Sequence, residues 1–417
     1  MSAADIYDVA VIGGGAAGSM AAIRAAELGK RTVLIERNDS IGRKILITGK
    51  GRCNITNNAN LDSFVKKFGK NGNFFRTAFF KFFNQDLIHF FETQGLELKV
   101  ERQGRVFPVT DKAVSVTAVL ISCLEKKGVK IIYATRVKDI EKGSGVFRIE
   151  TESGMKIGSR TVVLATGGAS YEITGSSGDG FTMAKSLGHS IAELKPGLVP
   201  LRVKESWVKE LQGVALENVR LVFKQRDGKR IVSEIGELMF THFGVSGPLI
   251  LDMSGDIVIR LETSEEIGLL IDLKPGMSNE QLESRLLHKL KIKGNIYLRN
   301  LMKDLLPQRL IPVFLKVFGL KADLKTNQIT QQNRRSIIDG LKAFPLTITG
   351  ALPLEEAMVT AGGVLMKEIN PRTMESRVIK GLYFAGEIIE GAAPSGGYNL
   401  QEAFSTGYLA GEEAANA

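Results

Sequence analysis

The chain has 417 residues, 44% of them hydrophobic and 24% charged, with a formal net charge of +10. That balance excludes an intrinsically disordered or collagen-like chain and suffices for two or three domains around a sizeable core. Two cysteines without a CxxC pair exclude a disulfide framework and a cysteine-ligated zinc site, and four histidines without an HExxH run argue against a histidine metal centre.

The opening residues, MSAADIYDVAVIGGG, carry Asp5 and Asp8 and no basic leader. No apolar run approaches the roughly 18 residues of a membrane helix. The expectation is a soluble, cytoplasmic protein without a membrane span. Residues 6–12 (IYDVAVI) read as a buried parallel strand, followed by Gly13–Gly18, an Ala-rich helix to Leu28 and a second apolar strand from Arg31 to Ile35. This is a strand–turn–helix–strand unit. The Phe-rich stretch from Phe74 to Thr93 has helical spacing and reads as core. Ala113–Lys127 reads as a further helix. Strands are expected at Val129–Tyr133, Val137–Glu141, Val146–Glu150 and Lys156–Ile157, then separately at Thr161–Ala165.

The texture changes near Lys195-Pro196-Gly197. Alternating segments to Leu273 (PLRV, ENVRLVFK, IVSEIGELMF, IVIRLE, GLLIDL) read as a small β-barrel or sheet unit. Ser278–Ala343 reads as several helices, with Leu282, Leu286, Leu287 and Leu290 forming an apolar stripe. After Pro345 short strands and glycine clusters return. These changes divide the chain into a discontinuous first domain (1–194 and 346–417), a β-barrel insert (195–275) and a helical subdomain (276–345). Nearly all the excess charge sits between Gln281 and Pro345, where 13 Lys/Arg face 4 Asp/Glu. That segment reads as a solvated helical face, or alternatively as a surface for phosphate, nucleic acid or acidic lipid headgroups.

Gly13-Gly14-Gly15-Ala16-Ala17-Gly18 fits the dinucleotide fingerprint G-x-G-x-x-G. Gly13 permits the turn, Gly15 lets the backbone approach a pyrophosphate, and Gly18 allows close helix–sheet packing. The helix N-terminus offers free N–H groups to phosphate. Glu36, 23 residues beyond Gly13, ends the second strand, where its carboxylate can hold ribose hydroxyls and repel a 2′-phosphate. Three features favour FAD over NAD. A polar, glycine-rich stretch from Gly42 to Asn54 follows the second strand. Leu164-Ala165-Thr166-Gly167-Gly168 ends a strand in a glycine turn. Gly381–Glu387 ends another strand in Gly386 and Glu387, so the site draws on both ends of the chain. No second fingerprint marks a separate NAD(P)H domain, so NADH or NADPH, if it is the donor, reaches the flavin from outside.

The ordered motifs GGGAAG, GRKILITGKGRCNITN, GRVFPVTDKA, ATGGASYEITGSSGDG, GELMFTHFGVSGP, TAGGV, TMES, GLYFAGE and GGYNLQEAFSTG resemble the BaiN-like flavoproteins, also described as the aminoacetone-oxidase-type FAD-binding family. The resemblance spans nearly the whole chain. It implies an α/β fold: a glutathione-reductase-type FAD-binding Rossmann domain split by an insert of a β-barrel plus a helical subdomain. It also implies hydride transfer between flavin and a small organic substrate, as a C=C reductase on steroid-like molecules or an amine oxidase. The stretch Ile388–Pro394 departs from the Asp-containing pattern of many relatives.

Fingerprint and resemblance together place cofactor contacts on Gly13, Gly15, Ala16, Ala17, Gly18, Glu36, Arg37, Arg43, Lys44, Thr48, Gly51, Arg52, Cys53, Asn54, Val137, Thr166, Gly167, Gly168, Gly386, Glu387, Gly397, Asn399 and Leu400. Cys53 either packs against the cofactor and backbone or forms a low-pKa thiolate beside Arg52. Asn54 and Asn57 either reach the flavin edge or hold the loop. Arg105, His242 and Tyr398 are the catalytic candidates: Arg105 to bind or protonate an anionic substrate and His242 to donate a proton, each with a structural alternative, and Tyr398, like Tyr171, flanking a glycine turn as a ring over the flavin. His89 and His288 read as structural. Two further readings stay open: a flavin-dependent tRNA-modifying enzyme, motivated by the basic segment, and a non-enzymatic redox-sensing flavoprotein.

Overall fold

The structure, a computed structural model, describes residues 6–224, 228, 230–292 and 295–417. Residues 1–5, including the Asp5 of the amino-terminal reading, lie outside that set. Among the described residues no helix is long and apolar enough to cross a membrane. The chain forms two compact units, Met1–Gly197 with Leu354–Ala417, and Leu198–Pro353.

The first unit is built on a seven-stranded sheet. β1 (Ile6–Ile12) pairs in parallel with β2 (Thr32–Ile35), and β2 with β3 (Lys130–Ile132). On its other edge β1 meets β6 (Lys156–Leu164), which pairs antiparallel with β5 (Phe147–Thr151), and β5 with β4 (Val137–Lys142). β6 is one continuous strand where the sequence suggests two. Its first half holds the meander, and its second half, Val162–Leu164, takes the C-terminal strand Leu382–Phe384 in parallel. Val9, Ala10 and Val11 have no exposure, as expected of a strand covered on both faces.

The Phe-rich stretch breaks into two helices, Gly72–Lys81 and Asn84–Thr93, because Phe82 leaves helical geometry at φ −151°. Gly396–Gln401, read from sequence as part of a strand-and-glycine pattern, instead leads into the C-terminal helix Tyr398–Asn416. That helix lies backbone-on-backbone against α1 (Ala16–Glu27). A Cβ at Gly407 would sit 2.2 Å from the Ala17 carbonyl oxygen, and one at Gly411 would sit 2.3 Å from that of Ala21. Gly411→Val is therefore expected to cost at least about 2 kcal/mol through forced separation of the two helices. Gly255→Ala, in the interior of the insert helix Pro248–Leu261 with nothing within 4 Å, is expected to stabilise by up to about 1 kcal/mol. Thermal unfolding of the two variants tests both signs.

The second unit carries β7 (Leu201–Val203), β8 (Ala215–Lys224), β9 (Arg230–Val232), β10 (Gly236–Phe240), β11 (Gly244–Ser246), β12 (Ile267–Asp272) and β13 (Phe344–Ala351). Their order is β9-β8-β10-β11-β7-β13-β12, and β12 pairs back onto β8, so six strands hydrogen-bond in a ring. IVIRLE, read from sequence as a strand, is the end of helix Pro248–Leu261: Pro248 starts that helix, and its Ile250, Ser254 and Ile257 stripe is buried. The helices Asn279–Ile292, Leu298–Met302, Leu310–Val317 and Gln331–Lys342 share one buried cluster with the strands, Phe314 stacking on Phe344 at 6.0 Å. The expected division between residues 275 and 276 therefore falls inside a single core. The expected return to the first domain at residue 346 is also too early, because β13 runs on to Ala351 as part of the ring.

Candidate active site

Four parallel strands of the first unit end on one cleft. β1 delivers Gly13, β2 delivers Glu36, β6 delivers Thr166 and Gly167, and Leu382–Phe384 delivers Gly386 and Glu387. Ligands of doubly wound sheets sit at such carboxyl ends.

The glycine turn behaves as its spacing predicts. Gly13 is left-handed at φ +99°, and its Cβ position lies 2.5 Å from the Ala165 carbonyl oxygen. A Cβ on Gly18 would meet the Gly13 carbonyl oxygen at 1.8 Å, whereas nothing lies within 4 Å of one on Gly15. Gly15 caps α1, so the turn leaves an open approach to the first N–H groups of that helix.

Glu36 is buried. One oxygen accepts the Gly14 N–H at 2.6 Å, and the other accepts the backbone and side-chain N–H of Asn38, both at 2.8 Å. Three bonds leave one of the carboxylate's roughly four acceptor positions for a ligand hydroxyl.

Lys44, on the short helix Arg43–Ile47, bonds Glu387 at 2.7 Å and Ser170 at 2.9 Å, while Glu387 also accepts the Thr360 N–H at 2.7 Å. At the opposite lip, Arg136 grips Asp179 through two 2.7 Å bonds and Arg37 reaches the same carboxylate at 3.3 Å. Arg136, with Arg37, holds the Asp179 carboxyl below its ordinary range, and the Asp179 carboxylate in turn raises the Arg136 guanidinium.

The buried Thr166 hydroxyl and the buried Asn54 side-chain oxygen have no hydrogen-bond partner among the described residues. An open glycine face, helix N–H groups, an orphaned hydroxyl on the cleft wall and a ribose-type acid together fit a flavin dinucleotide.

Gly13, Gly15, Ala16, Ala17, Glu36, Arg37, Arg43, Lys44, Thr48, Val137, Thr166, Gly167, Gly386, Glu387, Asn399 and Leu400 line this cleft. The Arg43 side chain turns to Asp39 at 2.6 Å, and the Asn399 amide is spent on Ala393 and Pro394. Gly18, Gly168 and Gly397 stand behind the lining; a Cβ on Gly168 would lie 2.7 Å from Glu387, and one on Gly397 would lie 2.4 Å from the Thr56 carbonyl.

Gly51, Arg52, Cys53 and Asn54 are not among the lining residues. Arg52 pairs with Glu101 and Asp111 and stacks over Phe107 at 4.2 Å. Cys53 has no exposure, and burial pushes its thiol up to about 12, so the thiolate reading fails. Asn57 holds the loop by donating to the Gln103 and Gly396 carbonyls at 3.0 Å.

None of the three catalytic candidates lines the cleft. Arg105 donates to the Arg102 carbonyl at 3.2 Å. Tyr398 is buried edge-on to Phe64 at 4.7 Å. His242 belongs to the second unit, exposed and against Phe243 at 4.9 Å. Tyr171 sits at a left-handed turn outside the lining, and His89 and His288 are exposed on helices.

The sequence reading missed Arg136, Asp179 and Glu402. Glu402 lies on the C-terminal helix, 5% exposed, and lines the cleft. The Thr406 hydroxyl is 3.3 Å from its carboxyl but only 2.7 Å from its backbone carbonyl, so the single hydroxyl proton is better placed on the latter. Burial, with the Glu387 charge nearby, pushes the Glu402 carboxyl up to about 8. The only sequence signal for it was its place inside the run GGYNLQEAF.

A family profile described as the HI0933-like protein Rossmann domain matches residues 7–413. The chain is 32% identical over 410 residues, 98% of each chain, to the 3-dehydro-bile acid delta(4,6)-reductase of Clostridium scindens. It is 31% identical over 410 residues, again 98% of each, to the ribosomal RNA dihydrouridine synthase of Escherichia coli. Its fold is similar to that of 3-ketosteroid delta1-dehydrogenase from Sterolibacterium denitrificans, with a TM-score of 0.56 at 14% identity, covering 99% of this chain and 100% of that one.

Proposed function

Because the chain belongs to the HI0933-like Rossmann-domain family and is an FAD-dependent oxidoreductase, we propose that it reduces a carbon–carbon double bond conjugated to a carbonyl, with uridine in RNA as the substrate. The observation that carries the reaction class is the agreement of two relatives, each aligned over 98% of this chain, whose names describe saturation of such a bond in unrelated molecules. The basic segment 281–345 favours RNA over a steroid.

FAD held in this cleft would supply hydride chemistry for an activated double bond, with NADH or NADPH as the external source of electrons. This chain's residues bind and orient. The Gly13–Ala17 turn and the N–H groups opening α1 hold the pyrophosphate. Glu36 would take a ribose hydroxyl, and Val137 would give the cofactor an apolar contact. Lys44, Thr48, Thr166 and Glu387 hold the middle of the cofactor. The N–H groups of Asn399 and Leu400, at the start of the C-terminal helix, would stabilise negative charge on a flavin bound in the cleft.

The test is an anaerobic absorbance titration with NADH and NADPH, followed by addition of a uridine-containing ribosomal RNA fragment. The expected result is bleaching of the flavin by one nicotinamide, reoxidation by the RNA, and uridine that gains two hydrogens by mass spectrometry. Bleaching followed by reoxidation only with a 3-oxo-Δ4,6 steroid would move the substrate to the second reading, which the 32% identical relative favours. A flavin that neither nicotinamide reduces overturns the reductase assignment.

A further inference from the structure

Charge is segregated within the second unit. Residues 198–280 carry 10 Lys/Arg and 13 Asp/Glu, whereas residues 281–345 carry 13 and 4. The two stretches share one core, so neither stability nor solubility requires this separation; a surface that only needs solvation mixes its signs.

The cations are not all structural partners. Lys342 is tied to Asp272 at 2.6 Å, Lys289 to Asp304 at 2.6 Å, and Arg309 to the Glu210 and Gln212 carbonyls. Among the described residues, Arg299, Lys303, Lys321 and Lys325 have no carboxylate within ion-pair distance, and all four are exposed.

Three of these four cations are held together by backbone. Segment 297–299 runs beside segment 321–325: Tyr297 bridges antiparallel to Lys325, the Leu298 N–H donates to the Leu324 carbonyl at 2.8 Å, and the Arg299 N–H donates to the Ala322 carbonyl at 3.2 Å. Lys303 lies one helical turn beyond Arg299. Asp323 is the single acid in the 321–325 segment. Tyr297 is 40% exposed, with the Arg299 guanidinium 5.0 Å from its ring centre. An exposed aromatic already stacked with a guanidinium and bridged to Lys325, with Lys303 and Lys321 on the same two segments, has the composition of a single-strand nucleic-acid platform: cations for phosphates and a π-face for a base.

We propose that the surface of Tyr297, Arg299, Lys303, Lys321 and Lys325 is an RNA-docking platform, with Tyr297 stacking on a base and the four cations holding the flanking phosphates. The proposal rests on the reading of RNA as substrate and adds the place where the strand is gripped.

The test is fluorescence anisotropy of a labelled uridine-rich 20-nucleotide RNA against the full-length flavoprotein over a salt series. Arg299→Gln/Lys303→Gln/Lys321→Gln/Lys325→Gln is expected to bind at least about tenfold more weakly and to flatten the slope of log K against log salt by about 3. A matched variant of exposed lysines in the other unit, Lys66→Gln/Lys70→Gln/Lys126→Gln/Lys185→Gln, is expected to stay within about twofold of wild type. Tyr297→Leu is expected to lose about tenfold and Tyr297→Phe to restore it. Thermal unfolding and flavin content equal to wild type in every variant establish folding of both units.

Equal losses in the two quadruple variants, or none in the first, overturn the platform. So does wild-type binding to phosphatidylglycerol vesicles that the RNA does not displace. Failure of the substrate reading has a different signature: RNA bound through the platform with no uridine reduced.

Discussion

Gly15→Val is expected to give a folded, colourless protein, and Gly18→Val a protein that folds poorly. The two glycines stand three residues apart in one turn but face different surroundings. Gly15 has ordinary extended backbone angles, φ −78° and ψ −167°, and open space where a side chain would go. A valine there strains nothing in the protein and fills the approach to the α1 N–H groups. Thermal unfolding should match wild type while bound flavin, read by visible absorbance after desalting, is lost. A Cβ on Gly18 would meet the Gly13 carbonyl oxygen at 1.8 Å and the Ala165 side chain at 3.3 Å. A valine there must push α1 off the sheet or break the turn, at a cost of at least about 3 kcal/mol. A Gly15→Val protein that keeps its full flavin complement would remove the cofactor from this cleft. A Gly18→Val protein with wild-type thermal stability would show that α1 packs differently.

The second large effect is a pH dependence from Glu402. Its carboxyl is raised from 4.5 to about 8 in the folded protein by burial and the neighbouring Glu387 charge. The groups from the packed elements that bear on it are Glu387 and the Thr406 hydroxyl. Between those two values the folded state keeps a proton that the unfolded state has released. Stability from this group therefore falls as pH rises from about 4.5 to about 8, and is flat above.

Glu402→Gln removes the titration while preserving shape. The variant is expected to match wild type near pH 5 and to exceed it increasingly up to pH 8, by a few kcal/mol at the top. Thermal unfolding at half-unit pH steps measures the difference directly, and Asp179, whose contribution is instead lost as pH falls through its lowered value, cancels in the comparison. Parallel curves for the two proteins would mean that Glu402 ionises normally and lies open to water.

Much of the cofactor site was legible because its signals are local. The turn of Gly13, the open face of Gly15 and the contact of Gly18 follow from one six-residue stretch between a strand and a helix. Glu36 follows from the end of the next strand. Thr166-Gly167 and Gly386-Glu387 were readable because each ends a short apolar run in a glycine turn. The stretch 51–54 was misjudged because its polar, glycine-rich composition does not say what its side chains meet. Arg52 finds Glu101 and Asp111, about 50 and 60 positions away, and Cys53 is sealed from solvent. IVIRLE opens with three β-branched residues in a row like a strand, yet the helix opened by Pro248 claims it, because the stripe of Ile250, Ser254 and Ile257 is buried in the insert unit.

The sequence by itself determined the dinucleotide turn, the acid that follows it, the assembly of the first unit from both ends of the chain and the concentration of positive charge in one segment. Each depends on residues adjacent in the chain, or on composition. Only the tertiary structure decided that Arg136 and Arg37 share Asp179, that Lys44 pairs with Glu387, that Glu402 is buried at the cleft, and that Tyr297 lies beside Lys325. Those pairings join residues 28 to 343 positions apart. They are set by strand register and helix packing, which no local pattern encodes.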